Sequence, residues 1–184
     1  MDIGGMKDWN VVVTLRGREF GRALGYLRRF GEVAPSGFFN VLVMKVEDPR
    51  AFLEYLRAQA VQFPESVRFL ARVTPVARTF AFHSSEEFES RAKEVLEELA
   101  PALAGKSFHV RVHRRGFKGR LHSLDEEHVL DDALLERLRE AGAPGRLAFE
   151  DPDAVVTVET VGTQAGTSVW TREEVHRHPF LHPD

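Results

Sequence analysis

Residues 108–120 read Phe108-His109-Val110-Arg111-Val112-His113-Arg114-Arg115-Gly116-Phe117-Lys118-Gly119-Arg120. The first half alternates. Phe108, Val110 and Val112 fall on one side of an extended chain and His109, Arg111 and His113 on the other, because side chains two apart share a strand face. The apolar side is expected to meet a core. His109 and His113 read as facing a partner, with a buried hydrogen-bonded pair as the alternative. After His113 the alternation stops, and a strand runs into a basic loop. Gly116 and Gly119 let that loop's backbone approach a partner closely.

The charge around this stretch is segregated. The whole chain has 184 residues and a formal net charge of -3, so no global excess points to a polyanion. Yet residues 100–124 contain no Asp or Glu, while they hold Lys106, Arg111, Arg114, Arg115, Lys118 and Arg120 with His109, His113 and His122. The balancing carboxylates sit in the two flanking helices. Such a loop can neutralise phosphates, and its arginines can grip them with forked hydrogen bonds. Phe117 can pack, or stack on an unpaired base. The loop ends where the next helix begins, a place that favours anions. Residues 66–85 are also free of acids and carry Arg72 and Arg78. A competing reading leaves these cations in surface ion pairs with the acidic helices, each worth about 0–1 kcal/mol.

Working outward, the elements alternate between strand and helix. Residues 9–15 form a strand with Trp9, Val11, Val13 and Leu15 on one side. Residues 17–30 carry Phe20, Leu24, Leu27 and Phe30 at helical spacing, and Gly31 reads as the stop. Residues 39–46 form a second strand. Asp48-Pro49 caps a second helix marked by Phe52, Leu53 and Leu56. Residues 67–82 are extended and apolar, with Pro75 requiring two strands or a bend. The order β-α-β-α-β over the first 80 residues suits a ferredoxin-like sandwich. Then Ser84 and Glu87 form a capping box before a long helix ending at Gly105. Ser123 and Glu126 form a second capping box before a helix closed by Gly142, with Asp131 and Asp132 on its solvated side. Residues 143–152 read as loop, 155–161 as a strand, and 167–171 as its returning partner. The tail from Val175 is rich in proline and histidine and is expected to be loosely held. The fold class is therefore α/β (α+β), with one domain over residues 1–80 and a second over 81–184.

The second domain resembles a THUMP domain, a module of tRNA-modifying proteins. The residues that carry the resemblance are the stretch from Phe108 to Gly116, the helix start at Ser123, and Pro152-Asp153-Ala154-Val155-Val156-Thr157-Val158-Glu159. The hairpin Val161-Gly162-Thr163-Gln164-Ala165-Gly166-Thr167-Ser168, then Thr171-Arg172-Glu173 and Pro179-Phe180, complete it. The arginine-glycine segment and the ending are most similar to the stand-alone THUMP adaptors of tRNA cytidine acetylation. The resemblance covers about residues 75–182. It implies a ferredoxin-like domain ahead of the THUMP fold, binding of structured tRNA, and presentation of that tRNA to a separate modifying enzyme such as an acetyltransferase. It also implies that Pro179-Phe180 anchors the tail onto the THUMP core.

Other chemistry is not signalled. With no cysteine there is no disulfide framework, thiolate zinc site or cysteine nucleophile. No G-x-G-x-x-G follows a strand and no Walker loop occurs. Zinc-deaminase spacing is absent. His176, His178 and His182 could in principle hold nickel or zinc, but no rigid scaffold is expected there, so no metal and no cofactor are expected. No apolar leader and no run of about 18 apolar residues appears, which predicts a cytoplasmic protein without a membrane partner. The expected RNA-binding residues are Lys106, Arg111, His113, Arg114, Arg115, Gly116, Phe117, Lys118 and Arg120, joined by Arg72 and Arg78. The alternative is a small ferredoxin-like enzyme that holds a phosphorylated metabolite at the same loop and needs a base or nucleophile near Arg114 or Lys118.

Overall fold

A computed structural model describes residues 5–182. The chain divides into two units. The first runs to Val76 and also takes in Val175–His182. The second spans Ala77–Glu174.

In the first unit the elements are β1 (Val11–Leu15), α1 (Phe20–Leu27), β2 (Gly31–Pro35), β3 (Val41–Val46), α2 (Pro49–Gln62) and β4 (Leu70–Pro75). The four strands form an antiparallel sheet in the order β2-β3-β1-β4. That is the ferredoxin-like βαββαβ arrangement. The sequence reading missed β2, because Gly31 resembles a helix stop. Gly31 does follow α1, but it also opens β2 opposite Val46, and a Cβ there would lie 2.2 Å from the Lys45 carbonyl oxygen. Only glycine allows so close an approach. Asp48 caps α2 as expected, accepting from the Ala51 amide at 3.0 Å with Pro49 in the first turn.

In the second unit follow β5 (Arg78–Ala81), α3 (Ser85–Leu99), β6 (Ser107–His113), α4 (Ser123–Glu140), β7 (Arg146–Leu147), β8 (Ala154–Val161) and β9 (Gln164–Thr171). They form a five-stranded sheet in the order β5-β9-β8-β6-β7. The β6–β8 and β6–β7 pairings are parallel and the others antiparallel. Residues 67–82 are thus two strands, as Pro75 required, and the two belong to different sheets. Ser84 caps α3, accepting from the Glu87 amide, and Glu87 in return accepts from the His83 amide. The second expected capping box does not form. His122 precedes α4, Ser123 is its first residue, and Glu126 is buried instead of reaching back. The core gathers Phe82, Phe88, Leu96, Leu103, Phe108 and Leu134. Phe108, Val110 and Val112 face it, as the alternation predicted.

The tail differs from expectation. It is neither loose nor placed on the second unit. A short helix α5 (Arg172–Arg177) leads into it, and residues beyond run along β4 of the first unit. The Val73 amide donates to the Phe180 carbonyl at 3.0 Å, and Arg72 Nη1 donates to the His182 carbonyl at 3.3 Å. Arg177 grips Glu54 of α2 with two nitrogens, at 2.7 and 3.2 Å. His178, Phe180 and Leu181 are buried. The physical reason is the exposed edge of β4, whose amides need acceptors. Phe180→Ala should destabilise the first unit by about 3 kcal/mol, measured by urea unfolding.

Candidate nucleic-acid interface

The basic loop rests on one buried carboxylate. Parallel pairing of β6 with β8 sets His113 opposite Glu159. Glu159 is 0% exposed. Its Oε1 lies 2.8 Å from His113 Nδ1, and its Oε2 pairs with Arg115 Nη1 at 2.5 Å. The Arg115 amide donates to Thr160 Oγ1 at 2.9 Å, and the Gly162 amide donates to the Arg115 carbonyl at 2.9 Å. Burial pushes the Glu159 carboxyl up, but the His113 hydrogen bond and the Arg115 charge outweigh it and hold the group at about 2. Glu159 is therefore ionised and can only accept, which puts the His113 proton on Nδ1.

This anchoring divides the expected site residues into two groups. Arg115, expected as a phosphate contact, is instead 10% exposed at its side chain and committed to Glu159. His113 shares that carboxylate. Arg111 Nη1 lies 3.9 Å from Glu127 Oε2. Lys106, Lys118 and Arg120 are exposed, and Arg114 is half-buried with its guanidinium on the Gly116 carbonyl. Gly116, Phe117 and Gly119 all have positive φ (98°, 52° and 79°), so the loop turns through left-handed backbone. The Phe117 ring packs 4.9 Å from that of Phe82, and the Arg120 guanidinium lies 4.4 Å above it. Phe117 is thus a half-buried platform whose stacking partner within the chain is Arg120. Arg78 pairs with Glu98 at 3.2 Å, as the surface-pair reading has it. Arg72 lies in the first unit.

Sequence reasoning missed the carboxylates of α4. Asp131, expected on the solvated side, is 1% exposed. It accepts from the Val110 amide at 2.8 Å, and its other oxygen lies 3.0 Å from His109 Nδ1. One turn earlier Glu127 accepts from the Val112 amide at 3.0 Å. β7 pairs with β6 only at Ser107 and Phe108, so the next outward amides of β6 need acceptors, and an i, i+4 pair of acids supplies them. Burial pushes the Asp131 carboxyl up despite those bonds. His109 is therefore buried and hydrogen-bonded rather than partner-facing. Glu126, on the same helix, is raised to about 7 by burial and by the Glu89 carboxyl of α3. Among the described residues no group of three His or acidic side chains could hold a metal ion, and no helix is long and apolar enough to cross a membrane.

No protein-family model and no curated protein sequence matches the chain. Solved structures do. PH1313 from Pyrococcus horikoshii matches with a TM-score of 0.56 and 15% identity, over 88% of this chain and 54% of that one. TrmN from Thermus thermophilus gives 0.53 and 19%, over 88% and 44%. A 4-thiouridine synthetase, solved as an RNA complex with bound ATP, gives 0.52 and 13%, over 89% and 42%. The fold is THUMP-like. The chain spans about half the length of these proteins or less, and the likeness is one of fold.

Two outcomes follow for the buried acids. Glu159→Gln leaves Arg115 buried without its counter-charge, and should cost about 3–5 kcal/mol by urea unfolding. For Glu126 the folded value is raised, so its favourable neutral form is fully present below its ordinary value of 4.5 and is lost as pH rises through about 7. Wild type should therefore melt lower at about pH 8 than at about pH 6, while Glu126→Gln should flatten that difference in a thermal-unfolding series.

Proposed function

We propose that this chain binds structured RNA, tRNA above all, and presents it to a separate modifying enzyme without catalysing the modification itself. The observation that carries the reading is the loop that follows β6. It is fixed from beneath by Arg115 and Glu159, and it offers Lys118 and Arg120 to solvent, with Arg114 half-buried beside them. A display of cations on a loop held at its root fits a phosphate backbone, which is bound by charge along its length. Lys106 adds a further exposed cation at the start of the same strand. Support also comes from the fold, which is shared with a synthetase solved in complex with RNA. The partner enzyme is a tRNA cytidine acetyltransferase on the sequence resemblance, and the setting is the cytoplasm.

Recognition of duplex RNA by such a loop reads shape and backbone, since the A-form major groove is too narrow for side chains to read bases. Arg111 and His113 support the loop, and Phe117 holds Arg120 in place by a cation–π contact. The metabolite-enzyme alternative needs a free base beside Arg114 or Lys118. At the loop's root His113 and Glu159 bond to each other, whereas His122 at the loop's far end is exposed and is the group that this alternative would have to use.

Replacing Arg114, Lys118 and Arg120 together by alanine should weaken tRNA binding and reduce the slope of log affinity against log salt by about 2–3. Fluorescence anisotropy over a salt series reads both quantities, and an unchanged melting temperature shows the fold intact. Equal affinity and slope in the two proteins would remove the loop from the site.

A further inference from the structure

The first unit carries a feature that the basic loop does not account for. Phe39 is 84% exposed at the tip between β2 and β3. A side chain of this size left in water forgoes the gain of burial, and this tip is not a loose one. Ser36 Oγ accepts from the Phe38 amide at 3.1 Å and donates to the Val41 carbonyl at 2.7 Å. The Val41 amide donates to the Phe38 carbonyl at 3.2 Å. Asn40 adopts a positive φ of 55°, a conformation asparagine tolerates better than most residues. Its side-chain amide donates to the Gly17 carbonyl at 2.9 Å, and its own carbonyl accepts from the Leu15 amide at 2.8 Å.

Those last two bonds tie the tip to the turn after β1, where Arg16 and Arg18 flank Gly17 and are both exposed. Arg16 Nε also donates to the Leu70 carbonyl at 3.3 Å. The nearby acid Glu19 is held by Arg22 at 3.0 Å and Arg68 at 3.7 Å. An ordered aromatic side chain beside two arginines that pair with no carboxylate among the described residues is the combination that binds unpaired nucleotides: bases stack on the ring, and guanidinium groups hold the phosphates on either side.

We propose that Phe39, with Arg16 and Arg18, forms a second RNA contact that stacks on an unpaired base. The proposal rests on the RNA-binding reading above and adds the class of nucleotide recognised. The test uses the full chain and two RNA probes, a blunt hairpin and the same hairpin with a short single-stranded tail carrying 2-aminopurine. Wild type should bind the tailed probe about tenfold more tightly than the blunt one and quench its fluorescence. Phe39→Ala should abolish both the preference and the quenching while keeping wild-type affinity for the blunt probe. Phe39→Trp should restore them. Arg18→Gln should lower the salt slope on the tailed probe by about one. Equal binding of the two probes by wild type, or a preference that survives Phe39→Ala, overturns this contact and leaves RNA binding standing. Wild type binding neither probe overturns both. A Phe39→Ala protein with unchanged RNA binding but lost self-association in sedimentation assigns the tip to a protein contact instead.

Discussion

The Glu159 carboxylate is the constraint on which the second unit's surface depends. A buried ionised acid is tolerated only when its hydrogen-bonding capacity is filled. Here His113 fills one oxygen and Arg115 the other. Because His113 ends β6 and Arg115 opens the loop, one carboxylate fixes both the last residue of the strand and the first turn beyond it. Thr160 and Gly162 complete the clasp through the Arg115 backbone. The residues that follow inherit their directions from this joint. Arg114 and Arg115 are neighbours in sequence with different partners: the Arg115 guanidinium lies on Glu159, and the Arg114 guanidinium on the Gly116 carbonyl.

A second constraint acts on the same strand from its other side. β6 is nearly an edge strand, since β7 covers only its first two residues. Natural sheets protect such edges with helices, loops or charge. Here Glu127 and Asp131 of α4 accept the outward amides of Val112 and Val110. Carboxylates therefore join helix, strand and loop at this edge, beside the apolar packing of Leu130 and Leu134 on the core side. This explains why an acid-rich helix can lie with part of its charge buried, and why the acid-free stretch of residues 100–124 needs acidic flanks. Those flanks do more than balance the charge of the basic segment. Some of their acids are structural acceptors and cannot pair with the exposed cations of the loop.

Much of the fold was legible because periodicity and capping report directly on local backbone. The alternation of residues 108–112, the caps at Asp48 and Ser84, and the break at Pro75 all appear where the residues indicated. The misreadings share one cause: a side chain whose job is set by a distant neighbour. Gly31 looked like a stop because the approach of the Lys45 carbonyl is not encoded nearby. Glu126 looked like a capping residue because Glu89 and the core that buries it lie on another helix. Asp131 looked solvated because the amide it satisfies is 21 residues away. The tail looked free because the β4 edge it covers precedes it by about a hundred residues. One signal was available and unused. Glu159 is the lone acid in the apolar run from Val155 to Val161, and an acid so placed in a central strand needs a buried cation.

The division between committed and displayed cations bears on what kind of binding the molecule can support. Arg114, Lys118 and Arg120 are few, and each phosphate neutralised releases about one counterion, so in the proposed RNA complex the loop alone would supply affinity of the weak, salt-sensitive, non-specific kind. Rigidity raises its value. A loop already fixed by Glu159, by left-handed backbone and by the Phe117–Arg120 contact loses little conformational freedom on binding, and less of the interaction is consumed in ordering it. On the proposed reading, a modest phosphate grip of this kind would suit holding one shape of RNA and releasing it again. Tighter or more selective binding has to come from further surface, and linked weak contacts multiply in effect when their geometry allows simultaneous engagement. On this argument selectivity for a particular RNA is a property of several weak sites acting together, and the basic loop contributes its register rather than most of its strength.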